Sequence, residues 1–295
     1  MVSDESVEPT MNLWQTYSQQ SRFNLTAGSI ACLLISLWLA ATLNLPATPG
    51  YAGSLLQQDS WVFVMGAAWL ALFGCTAVGT VLSSRIHYEG GLFCACIGLA
   101  GWSVRFGSSR YALLNATGPQ VYLASAEELI LLFVAIAIAW FVLYRLMSSG
   151  LLPSEKPIGE ADRDEPLDQK FLAAAAQVVV TMIVMMLICQ SDAKLQTLAS
   201  VGIASYVATL AAHYFIATGP SAWFWVGPLV VGLIGYISQY FSPSDWMIGD
   251  VHGVFAALAR PLPLDYASLG IAGALMGYWT SREWHRERLE SDQEA

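Results

Sequence analysis

Eight stretches of this sequence run for 15 to 23 residues on apolar and small side chains, and the charges are confined almost wholly to the gaps between them. They are Leu25–Leu45, Trp61–Ser83, Gly90–Val104, Leu129–Leu146, Phe171–Cys189, Leu195–Ala217, Ala222–Tyr240 and Tyr266–Ser281. A helix needs about 20 apolar residues to cross the roughly 30 Å hydrocarbon core of a bilayer. Six stretches meet or approach that length. The third and eighth, at 15 and 16 residues, reach only about 22–24 Å at 1.5 Å per residue. The runs are continuous rather than alternating, which excludes the strands of a lipid-facing barrel. The expected fold is an all-α integral membrane protein with about eight transmembrane helices.

Composition removes the main alternatives. Charged residues are 12% of the chain, against about 25% in soluble domains, and the mean hydropathy is +0.52. Neither a disordered chain nor a nucleic-acid binder is built this way. The net charge of −9 comes mostly from solvated segments, since ten charges lie between Arg145 and Lys170 alone.

These charges divide the chain. Residues 1–24 form a tail, 25–147 a first bundle half and 148–170 a linker. Residues 171–282 form a second half and 283–295 a second tail. The linker is rich in Pro, Gly and charge and cannot bury enough apolar area to fold alone. With eight spans, nine Lys and Arg fall on one side and four on the other. That excess places both termini in the cytoplasm, and the short loops favour a bacterial cell membrane. The acidic start, with Asp4, Glu5 and Glu8, is unlike a cleavable leader. Near residues 244–260, Met247, Val251, Phe255 and Leu258 recur at three- and four-residue steps. This pattern suggests an amphipathic helix in the interface, with Trp223, Trp225 and Trp246 as belt anchors.

Two organisations follow: two four-helix halves, or a weak inverted 3+3 repeat. For the repeat, Gly28–Leu37 is similar to Val201–Leu210, and Phe63–Gly74 to Phe224–Gly235. The third and eighth spans, both short and glycine-rich, complete the pairing of spans 1–3 with 6–8. Such repeats mark many transporters. Small residues also set the expected packing, because helices in lipid associate through close backbone approach. The sixth span has Ala204 and Ala208 on one ridge, the seventh has Gly227 and Gly235, and the eighth has Gly273 and Gly277. Spans 6–8 should therefore form the tightest bundle.

Candidate chemistry is sparse. Apart from cysteines, His213 is the titratable side chain set deepest in a confident span, and intramembrane polar groups are costly enough to suggest function. Its readings are a proton relay or substrate ligand, or a hydrogen-bonded neutral imidazole. Glu127 and Glu128 open the fourth span as an acid–base pair, or as acidic residues drawn to a helix N-terminus with Ser125 as cap. Asp250 and His252 are two apart, so on one helix they diverge. The order Glu127-Glu128, His213, His252 resembles the glutamic CAAX-protease-like membrane family, but that family's Arg is Leu132 here and its Phe is Thr209. Gly219-Pro220-Ser221 resembles the rhomboid Gly-x-Ser, with Ala222 where a glycine belongs. The cysteines 32, 75, 94, 96 and 189 lack zinc or haem spacing and read as packers. No metal or cofactor is expected.

The leading functional expectation is a structural or accessory subunit of a membrane complex. A permease-like transporter is the alternative, and an intramembrane enzyme using His213, His252 and the glutamate pair comes third. The partners expected are the lipid bilayer and another membrane protein or a second copy of the chain.

Overall fold

The computed structural model describes residues 13–43, 55–56, 58, 60–83, 89–107, 119–151, 166–218, 221–241 and 256–294. Among them every regular element is helical and none is a strand. The helices are α1 (Leu13–Thr42), α2 (Trp61–Ser83), α3 (Gly90–Arg105), α4 (Gln120–Ser148), α5 (Leu167–Ile188) and α6 (Lys194–Phe215). Then come α7 (Ala222–Phe241), interrupted at Val226, and two short turns, α8 (Ala256–Ala259) and α9 (Pro263–Asp265). A π-helical turn (Tyr266–Gly270) leads directly into α10 (Ile271–Glu294). Six helices, α1, α2 and α4 to α7, are long and apolar enough to cross a membrane. That set is compatible with a multi-pass membrane protein.

The two stretches that looked too short occupy the interior. In α3 every residue from Gly90 to Ser103 except Ile97 is buried, and from Pro261 to Leu275 only Leu269 is less than buried. The two segments run antiparallel. Ser103 at the end of α3 meets Asp265, and Phe93 near its start lies 5.3 Å from Trp279. Segments sheathed by protein need not match the hydrocarbon thickness, because their backbone ends find partners in protein. This explains how α3, a glycine-rich helix of about 24 Å, coexists with longer apolar ones. The helical ends also extend beyond the expected spans. α1 begins at Leu13 inside the first tail, and α10 continues through the charged residues of the second.

Backbone approach is closest where glycines line up. A Cβ on Gly273 would overlap the backbone of Gly202, and one on Gly277 would overlap the carbonyl of Tyr206. Ala204 and Ala208 are wholly buried on the same helix, α6. The glycines of the seventh span do not face this pair. Gly227 faces the Gln177 amide of α5, and a Cβ on Gly235 would lie 2.6 Å from the Leu258 carbonyl oxygen of α8. α7 packs on α4, α5 and α8, and on α10 and the π-helical turn before it. An equally tight cluster forms among α1, α2 and α3, where a Cβ on Gly79 would sit 2.6 Å from Cys94 Cβ and one on Gly98 2.8 Å from Ser36 Oγ. α1, α2 and α3 all pack on one another, whereas α7 barely touches α6 beyond its first turn and meets α10 and the π-helical turn instead. The contact pattern of spans 1–3 is thus not repeated by spans 6–8.

The expected interfacial helix falls largely on residues 242–255, which lie outside the described residues together with His252, Trp246 and most of the 148–170 linker. Its described end is α8, and there Leu258 and its neighbours are buried rather than spread on an interface. Trp225 is also a packing residue, 2% exposed, with its ring 6.2 Å from Trp140.

Candidate functional site

The polar side chains gather at the two ends of the bundle and along one seam between them. At one end stands Asp265. Its carboxylate forms an ion pair with Lys194 Nζ at 2.6 Å and accepts hydrogen bonds from Ser103 Oγ and, at 2.9 Å, from the Leu262 N–H. It is completely buried. Pro263 opens the turn, where its missing N–H is no loss, and the bond back to Leu262 is the reciprocal half of a capping box. Asp265 therefore joins α3, α6 and the start of the final helix through one side chain.

Around it, irregular backbone is held inside the protein. Tyr236 Oη donates to the Pro261 carbonyl and Tyr266 Oη to the Leu258 carbonyl, both at 2.6 Å. Arg260 pairs with Asp192 at 3.3 Å and donates to the Cys189 carbonyl, which ties the α5–α6 turn to the segment before Pro261. Non-helical backbone at membrane depth survives only when its carbonyls are satisfied in this way.

The glutamate pair is split. Glu127 is exposed, and Glu128 is buried. Glu128 Oε2 accepts the N–H groups of Leu55 at 2.8 Å and Leu56 at 3.3 Å. α4 starts at Gln120, so neither residue sits at a helix N-terminus, and Ser125 bonds to the Val121 carbonyl instead of capping. Glu128 anchors the segment that enters α2. Glu128→Ala should strand two backbone donors and destabilise the protein by about 2 kcal/mol. Glu127→Ala should melt with the wild type in detergent.

At the opposite end, His213 is buried, with Nδ1 2.8 Å from Ser281 Oγ of α10. Aromatic rings of Phe224, Tyr278 and His285 enclose it, at centroid distances of 5.5, 4.7 and 5.6 Å. Nearby, buried Glu89 accepts from Ser221 Oγ and, at 3.4 Å, from Trp279 Nε1. His213 lies 19 residues along α6 from Lys194, a separation of about 28 Å. Asp265 and Glu128 belong to the Lys194 end, so Glu128 and His213 do not meet and no acid–base set is assembled from them.

Between the two ends runs a seam that charge alone does not reveal. α5 buries Gln177 and Thr181, and α6 buries Ser205 and Thr209. Gln177 Nε2 donates to Thr209 Oγ1 at 3.1 Å, and Thr181 Oγ1 to the Gln177 carbonyl at 2.8 Å. The five cysteines are buried free thiols. Among the described residues no group of His, Cys, Asp and Glu could hold a metal ion. Comparison of the chain with protein-family models, curated proteins and solved structures finds no match.

Proposed function

We propose that this multi-pass membrane protein is a structural or accessory subunit that docks a helix of another membrane protein on the lipid-facing side of α2. One observation supports this reading. The other described helical glycines each have neighbouring atoms within 4 Å of where a Cβ would lie, but Gly66 and Gly74 face open space. They sit two turns apart on an outward face that also exposes Phe63, Leu70 and Val81. Glycine weakens a helix by about 1 kcal/mol relative to alanine, and against lipid it packs nothing in return. Against another helix it permits close backbone approach.

Gentle detergent extraction from the native host, followed by identification of what travels with the protein, tests the proposal. The Gly66→Leu/Gly74→Leu variant should melt at or above the wild-type temperature and lose the companion. A wild-type protein that travels as a lone monomer, or a companion retained by the variant, would overturn it. A partner that proves to be a second copy would locate a homo-oligomer on the same face.

The permease-like reading is favoured by a different observation, the polar seam of α5 and α6. Polar and ionisable groups held inside a membrane bundle are costly, and they mark ion, proton and solute paths. By the Lys and Arg count, both termini and the His213 end face the cytoplasm, and the Asp265 end faces outward.

A further inference from the structure

The α5–α6 seam contains hydrogen-bonding capacity that the protein leaves unused. Gln177 Oε1 and Ser205 Oγ are both fully buried and have no hydrogen-bond partner among the described residues. Turning the Gln177 amide over changes which of its atoms is left over, not whether one is. Buried polar atoms without protein partners are ordinarily met by ordered water.

The register places these groups in a line. α5 and α6 are antiparallel neighbours, and the Gln177–Thr209 hydrogen bond sets Thr181 opposite Ser205 one turn further on. Ser205, Thr209 and His213 follow at four-residue steps, so successive side chains are about 5–6 Å apart. One water bridges such a gap. Gly227 makes room from the third side, because the Gln177 amide fills the place a Cβ would take. The same register brings Met185 opposite Val201, and both are wholly buried. Beyond that apolar layer come Thr197, whose Oγ1 bonds the Lys194 carbonyl at 2.9 Å, and the Lys194–Asp265 pair. Around His213 stand His285 and Ser281, with Arg282 stacked on Tyr278. Around Asp265 stand Lys194, Ser103, and the Arg260–Asp192 pair near it.

We propose that this seam is a water-filled proton path between His213 and Asp265, closed at rest by the Met185–Val201 layer. Hydroxyls and water both accept and donate, so a proton arriving on one face of a water forms one O–H bond while another breaks on the far side. A proton enters at one end as one leaves at the other, and nothing is oxidised or reduced. Gln177 contributes orientation, since an amide holds water without relaying through itself. This activity goes beyond docking and stands or falls separately from it.

The test is proton flux into phosphatidylcholine–phosphatidylglycerol liposomes that carry the full-length protein and an internal pH dye, driven by a potassium diffusion potential. Met185→Ala should raise the flux at least tenfold over the wild type. Adding Ser205→Ala to Met185→Ala should return it to within about twofold of the wild type. Ser205→Ala removes a single oxygen, and elution as a monodisperse peak would show that the fold survives. The proposal is overturned if neither wild type nor Met185→Ala exceeds protein-free liposomes, if Ser205→Ala leaves the raised flux unchanged, or if the current follows a sodium gradient instead of protons.

Discussion

Asp265→Leu is expected to destabilise the protein by about 3–5 kcal/mol, the penalty for leaving one charge of a buried pair uncompensated. Lys194 has few alternatives. Its side chain is 13% exposed, and it sits in the first turn of α6, where the partial positive charge of a helix N-terminus disfavours an ammonium. The pair itself is not expected to be the source of stability, because desolvation of both ions offsets most of their attraction. Lys194→Met/Asp265→Leu should therefore recover most of the loss in a detergent melt. Recovery should be incomplete, because Ser103 Oγ and the Leu262 N–H lose their acceptor in either variant. A double variant as unstable as Asp265→Leu alone would show that those two hydrogen bonds, and not the ion pair, hold the final helix in place.

This pair also marks the limit of what could be read beforehand. Long uncharged runs announce lipid-facing helices directly, because lipid tolerates nothing else, and the six long helices lie where those runs are. The shortness of the third and eighth stretches was equally visible. Their central position was not, since burial on every side is a property of what surrounds a helix. Asp265 and Lys194 are 71 residues apart, and each stands at the end of an apolar run, where a charge looks like part of a solvated loop. Glu128 stands inside α4 for a reason the sequence shows only in part. Glu127 and Glu128 interrupt the uncharged run, so the span reads as starting at Leu129, yet the mostly apolar Gln120–Ala126 before them is the first two turns of α4. A count of titratable groups passes over the Gln177 amide, although a glutamine within Ala-Ala-Ala-Ala-Gln-Val-Val-Val is itself a signal. The helix pairings followed small residues in part. Gly273 and Gly277 meet α6, while Gly227 and Gly235 meet α5 and α8, because a glycine shows that something approaches but not what.

Gly277→Leu carries the second large effect, about 3 kcal/mol or more, at the upper end of what overpacking costs. The added Cβ falls on the Tyr206 carbonyl and within 3.0 Å of Leu210 N. Both are backbone atoms of α6, so relief requires moving the helix rather than turning a side chain. Moving it strains the polar contacts that join α6 to the final helix at its two ends, Lys194–Asp265 at 2.6 Å and His213–Ser281 at 2.8 Å. The same chemical change at Gly66 meets no atom within 4 Å and should leave the melting temperature at or above that of the wild type. The contrast between the two sites removes helix propensity as an explanation, because the substitution gains the same propensity in both. If Gly277→Leu melts with the wild type, the close α6–α10 crossing is wrong, and with it the register that aligns the two polar ends.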